Sequence, residues 1–156
     1  NGAVQFGAPS DDLVPVDFTG DGKTDVAFWR PETGNWFVLR SEDFSFYAFP
    51  FGASGDVPAP ADYDGDGKAD AAVFRESAAT WYISRSSGGT DIVGFGSVGD
   101  KPVNSDYDGD GSADIAVYRP SAGMWYMIRS RDGLISLPFG TAEDIPTPAA
   151  YIVSSP

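Results

Sequence analysis

Residues 62–85 read DYDGDGKADAAVFRESAATWYISR: an acidic, glycine-rich loop, a β-rich run, a tight turn and a second β-rich run. The string has two partners. Residues 17–40 read DFTGDGKTDVAFWRPETGNWFVLR, and residues 106–129 read DYDGDGSADIAVYRPSAGMWYMIR. A Phe-Gly pair punctuates the series at Phe6-Gly7, Phe51-Gly52, Phe95-Gly96 and Phe139-Gly140, at spacings of 45, 44 and 44 residues. Eleven residues after the first three of these phenylalanines come Asp17, Asp62 and Asp106; the fourth such position is Ala150, and no acidic loop follows it. Trp36, Trp81 and Trp125 recur in phase, each six residues after Arg30, Arg75 or Arg119. A period of this length marks a repeat architecture, in which each unit is one supersecondary element stacked on the next.

Within one period the pattern predicts four strands. Residues 57–63 (VPAPADY), 70–75 (DAAVFR), 81–85 (WYISR) and 90–95 (TDIVGF) are β-rich runs separated by turn chemistry. Pairs such as Phe28-Trp29 and Trp81-Tyr82 place bulky residues on both faces of a strand. A sheet covered on both sides needs that pattern, whereas a half-solvated sheet alternates with polar residues. Four strands in about 45 residues is the propeller-blade period. The expected fold class is therefore all-β, with three full blades at residues 13–52, 57–96 and 101–140 of a single repeat domain, 1–156. Partial units flank them: an outer strand within 1–7 and an inner strand at 145–152.

The loops carry the chemistry. Carboxylates recur at positions 1, 3, 5 and 9, and position 7 is free to offer a backbone carbonyl. Alternating oxygens on a tight turn suit calcium, a hard ion that takes six to eight oxygen ligands. Carboxylates crowded into one turn repel by about 1 kcal/mol per pair at 4 Å even in water, so such a loop asks for a cation. The motif is not an EF-hand: position 12 is Phe28, Val73 or Val117 rather than glutamate, and strands flank it instead of helices. The loops hold three, four and four of the 23 acidic residues of a chain with formal net charge −13, so much of the acidity is local.

The combination D-x-D-G-D-G-x-x-D, A-V-F-R followed by W-Y, and recurrent F-G resembles the FG-GAP (VCBS-type) repeats. These occur in the β-propeller of integrin α subunits, in a fungal integrin-like lectin and in many secreted bacterial proteins. The resemblance covers residues 6 to 152. It implies about three Ca²⁺ ions, each held between the first two strands of a blade. The implied ligands are Asp62, Asp64, Asp66 and Asp70 with the Lys68 carbonyl, and Asp106, Asp108, Asp110 and Asp114 with the Ser112 carbonyl. In the first loop Thr19 replaces an aspartate, leaving Asp17, Asp21 and Asp25 with the Lys23 carbonyl. The resemblance also implies a chain working outside the cytoplasm, secreted or on a bacterial cell surface.

Composition narrows the function further. With 23 acidic against 10 basic residues, the chain lacks the basic patch that phosphate backbones require, so nucleic acid is not the expected partner. No apolar run reaches the ~18 residues of a membrane span. There is no cysteine and no histidine, which removes disulfides and the Ser–His and Cys–His nucleophiles. Glu32, Glu42, Glu76 and Glu143 share no register, so a catalytic carboxylate pair is not expected either. Two non-enzymatic readings remain: a module that binds glycan or protein, and a self-assembling surface or filament subunit. A third places the chain as a non-catalytic part of a larger secreted enzyme. In the glycan reading, Trp29, Phe74 and Tyr118 with Arg30, Arg75 and Arg119 would line the site; the competing reading buries those rings and pairs each arginine with an aspartate. Three blades do not close a ring, so association through the end faces is expected, with further copies or with more of a longer chain.

Overall fold

The computed structural model describes residues 2–147, and these are all-β apart from one short 3₁₀ turn at Glu76–Ala78. Twelve strands form three four-stranded antiparallel sheets, each built from consecutive strands. The first holds β1 (Asp12–Leu13), β2 (Val26–Arg30), β3 (Asn35–Leu39) and β4 (Phe46–Pro50). The second holds β5 (Val57–Pro58), β6 (Ala71–Arg75), β7 (Thr80–Ser84) and β8 (Thr90–Gly94). The third holds β9 (Lys101–Pro102), β10 (Ile115–Arg119), β11 (Met124–Arg129) and β12 (Gly133–Pro138). Register repeats with the sequence: Trp29 faces Trp36, Phe74 faces Trp81 and Tyr118 faces Trp125 across the central strand pair of each sheet.

The first strand of each unit is shorter than expected. Of residues 57–63 only Val57 and Pro58 pair as a strand, with one further bridge from Ala61 to Asp70. Pro58 and Pro60 have no N–H to donate, and proline confines a strand to a sheet edge. Residues 2–7 form no strand; this segment is held by Phe6, whose ring lies 4.9 Å from Phe28 and 6.3 Å from Phe46. Residues 145–147 also form no strand, and 148–152 of the expected inner strand lie outside the described residues.

The sheets pack in chain order. One buried cluster joins Trp29, Trp36 and Val38 of the first sheet to Ala69, Ala71 and Val73 of the second unit. A second joins Phe74 and Trp81 to Val117, with Ile115 and Tyr126 packed against it. Large rings on one sheet thus meet small aliphatic groups on the next, which gives close packing without clashes. The third sheet repeats the ring-bearing face with Tyr118 and Met127, and its Trp125 is only partly buried whereas Trp36 and Trp81 are fully buried.

Phe-Gly is the hinge between units. The indole N–H groups of Trp36, Trp81 and Trp125 donate to the carbonyls of Phe51, Phe95 and Phe139 at 2.9, 3.2 and 2.9 Å. The following glycines, Gly52, Gly96 and Gly140, sit at φ 101°, 110° and 97°, which only glycine adopts without strain. Tryptophan and Phe-Gly recur in phase because one ties down the other.

Candidate metal centre

Each acidic loop is a hairpin connection between the first two strands of its unit. Its base is closed by an isolated bridge: Val16 to Asp25, Ala61 to Asp70 and Ser105 to Asp114. Glycine amides inside the loop then fold over the first carboxylate. Gly65 and Gly67 donate to the two oxygens of Asp62 at 2.7 and 2.8 Å, and Gly109 and Gly111 do the same for Asp106 at 2.6 and 3.0 Å. Gly20 and Gly22 hold Asp17 likewise. The ninth-position carboxylate is buried in all three loops, at Asp25, Asp70 and Asp114. One of its oxygens accepts from the amide of the second loop residue, Phe18, Tyr63 or Tyr107.

The second and third loops bring acids together. Carboxylate oxygens of Asp62, Asp64 and Asp66 lie within 4.8 Å of one another, as do those of Asp106, Asp108 and Asp114. Clusters of this kind can hold a metal ion, and the donor set is all oxygen. Oδ1 of Asp108 is buried and accepts no hydrogen bond from a described residue, which leaves one member of this cluster with a desolvated, unpartnered carboxylate oxygen. Among the described residues the first loop assembles no group of three, in keeping with Thr19 at its third position. Thr19 turns its hydroxyl back onto Asp17 instead.

Burial pushes the Asp62 and Asp70 carboxyls above the ordinary carboxylate range. The Ser86 hydroxyl holds Asp66 below that range, and the Ser130 hydroxyl does the same for Asp110. These serines were not singled out from the sequence, and they organise the site. The backbone N–H groups of Ser41, Ser86 and Ser130 donate to Asp25, Asp70 and Asp114 at 2.8, 2.7 and 2.7 Å. Their hydroxyls donate to Asp21, Asp66 and Asp110 at 3.2, 2.6 and 2.7 Å. The signal was present: each serine stands five residues after the repeat tryptophan, directly behind Arg40, Arg85 or Arg129.

The other residue set goes elsewhere. Trp29, Phe74 and Tyr118 are fully buried between or against the sheets. Arg30, Arg75 and Arg119 make two-pronged hydrogen bonds to Asp11, Asp56 and Asp100, with Nε–O distances of 2.8, 2.7 and 2.8 Å. Each guanidinium also lies over a ring of the neighbouring strand: Phe37 at 4.7 Å, Tyr82 at 4.5 Å and Tyr126 at 4.4 Å. Of the two readings of these residues, the structure has the one that buries the rings and pairs each arginine with an aspartate. Their partner aspartates lie in the turn after Phe-Gly, outside the metal loops. They were legible too, always five residues beyond the phenylalanine.

Three antiparallel sheets in series, each with an acidic loop between its first two strands, define an all-β repeat protein with acidic-loop hairpins. The family model described as FG-GAP-like repeat matches residues 17–73, from the first acidic loop through the second into β6, so that stretch is similar to an FG-GAP-like repeat. No curated protein and no solved structure matches the chain. No helix among the described residues is long and apolar enough to cross a membrane.

Proposed function

We propose that the chain is a non-catalytic, calcium-stapled stack of propeller-type blades that works outside the cytoplasm by contacting protein. The observation that carries the calcium reading is the buried, unpartnered Oδ1 of Asp108, a member of an all-oxygen cluster. An anionic oxygen removed from water without a donor costs several kcal/mol unless a cation meets it. Asp62, Asp64 and Asp66 with the Lys68 carbonyl would hold one ion. Asp106, Asp108 and Asp114 with the Ser112 carbonyl would hold another, and the first loop would bind more weakly. Loops of this class with partial solvent exposure suit the millimolar calcium found outside cells.

Protein contact is favoured over glycan because the rings that would stack on sugar are buried, while the third sheet carries an open apolar groove. Leu137 and Phe139 are exposed there and line one groove with Ile135 and the partly buried Trp125. An apolar patch of that kind marks an interaction surface. The test is calorimetric titration of metal-free protein with Ca²⁺ and with Mg²⁺, paired with thermal unfolding in excess chelator. Saturable calcium binding at two or more sites, with a midpoint that falls on chelation, is the expected result. Heat-silent titration together with an unmoved midpoint refutes the calcium reading. Saturable binding to a glycan array by the calcium-loaded protein would refute the choice of protein contact.

A further inference from the structure

The first period of the repeat is 45 residues long and the next two are 44, and the extra residue falls at one hairpin tip. Leu39, Ser84 and Ile128 each stand three residues after the repeat tryptophan and pair with Phe46, Thr90 and Leu134. The connection therefore holds residues 40–45 in the first sheet, against 85–89 and 129–133 in the other two. The longer tip reads Arg40-Ser41-Glu42-Asp43-Phe44-Ser45.

Phe44 is out of place there by two measures. Its φ is 59°, in the left-handed region, where the matching tips use Gly88, Gly89 and Gly133. A residue with a Cβ is strained in that conformation, a bulky one most of all. Its side chain is also 70% exposed, so burial does not offset the strain. The surroundings hold it in position. The Phe44 amide donates to the Arg40 carbonyl at 3.1 Å, and Asp43 accepts the Ser45 amide and hydroxyl at 2.8 and 2.6 Å. Ser41 ties the same tip to Asp21 and Asp25 of the first acidic loop. Strain held in place by a scaffold is characteristic of functional positions.

The exposure does not depend on which units stand beside the first sheet. The second sheet has a unit on either side, yet a Cβ on Gly88 of its tip would meet nothing within 4 Å, and one on Gly89 only Arg85 of the same unit. In the third unit Gly133 is equally open. Packing of one unit on the next leaves these tips uncovered.

Charge selects the partner. Glu42 and Asp43, both exposed, directly precede Phe44, and neither belongs to the proposed ligand sets. The cation of the tip, Arg40, lies over the Tyr47 ring at 4.6 Å and donates to the Ser45 hydroxyl at 2.8 Å. An anionic lipid surface is repelled by such a pair of acids, whereas a protein surface that sets Lys or Arg around apolar side chains complements it. We infer that the β3–β4 tip is a docking knob, in which Phe44 enters the apolar part of a cationic protein surface while Glu42 and Asp43 meet its basic residues. This rests on the protein-contact reading above and adds to it a second surface and the chemistry of its partner.

The probe is a synthetic amphipathic helix with leucine on one face and lysine on the other, titrated into the full calcium-loaded chain. Wild type should bind it saturably. Phe44→Gly keeps the charge and matches the other tips, and should weaken binding at least about ten-fold, as expected for an aromatic anchor. Glu42→Gln with Asp43→Asn should weaken it too and flatten its salt dependence. Phe44→Gly should also raise the thermal midpoint, because the strain goes with the side chain. A lowered midpoint would make Phe44 a structural residue and overturn the inference. So would the absence of saturable binding, equal binding by Phe44→Gly, or equal binding of an all-lysine peptide of the same charge. Loss of binding in Leu137→Ser in place of Phe44→Gly would put the contact in the groove of the third sheet, which keeps the protein-contact reading and overturns this one. Phe44-dependent binding to phosphatidylserine–phosphatidylcholine vesicles, with none to the peptide, would overturn the choice of a protein partner. Calcium titrations of the same samples separate all of these from failure of the calcium reading.

Discussion

At the scale of single residues, the repeat supplies its own controls. The β2–β3 and β10–β11 turns end on Gly34 and Gly123, at φ 68° and 59°, whereas the middle turn ends on Ala79 at φ 47°. The left-handed region costs a Cβ-bearing residue about 1–2 kcal/mol, partly offset by the greater unfolded-state freedom of glycine. Ala79→Gly should therefore stabilise the protein by about 0.5–1 kcal/mol. Gly34→Ala should do the opposite and by more, about 2 kcal/mol, since its Cβ would stand 2.6 Å from the Gly52 carbonyl oxygen. Denaturant midpoints of the two variants, with calcium saturating, check both signs. Serines offer a second comparison. Ser130→Ala deletes a donor to Asp110 and to the proposed ligand Asp114 while leaving every proposed ligand in place, and should weaken calcium binding about ten-fold. Titration of that variant against wild type reads the effect directly.

At the scale of the elements, the four-strand unit was legible because strands, loops and turns recur in phase, so every inference from one copy was checked by two more. What escaped has local causes. In the second unit the first strand came out short where Pro58 and Pro60 offer no N–H to the ladder, leaving Ala59 and the bridge at Ala61 to continue it, a rule that was available but outweighed by the run of apolar residues. Ser41, Ser86 and Ser130 escaped because a serine at a strand end reads as ordinary turn chemistry until the fold brings it back over a loop 16 residues earlier. The loops themselves were read from spacing, but spacing does not report burial, and burial sets their acid response. Asp62 and Asp70 have raised carboxyl pKa values in the metal-free fold. A raised folded-state value means that the penalty for charging them is absent below the unfolded pKa and fully present above the folded one. At Asp62, a proposed ligand, protons and metal thus compete for the same oxygens. Calcium affinity should begin to fall on acidification at a pH above the ordinary carboxylate range of about 4. The metal-free protein should gain stability over that same window. Parallel melts with calcium and with chelator across pH 4–7 test this, and midpoints that do not converge as pH falls would contradict it.

At the scale of the whole molecule, the three loops form one connected edge. The carbonyl of Asp17 accepts the Ala69 amide at 2.8 Å, and the carbonyl of Asp62 accepts the Ala113 amide at 2.6 Å. Each bond runs from the first residue of one loop to the residue just before the ninth position of the next. Ala69 and Ala113 adjoin Asp70 and Asp114, whose buried carboxylates tie the loops to the strands. Ordering one loop around an ion therefore fixes the acceptor that orders its neighbour, and by linkage the benefit is mutual. Repeat proteins carry stability in such nearest-neighbour terms. Asp62→Asn should accordingly do more than weaken the second site: calcium at the third should bind at least about five-fold more weakly than in wild type. Asp106→Asn, the converse change, should weaken the second site by a similar factor. Calorimetric titration of both variants beside wild type measures these residual affinities. Residual sites that keep their wild-type affinity would show the loops to be independent, with the bonds between them holding the edge together and nothing more.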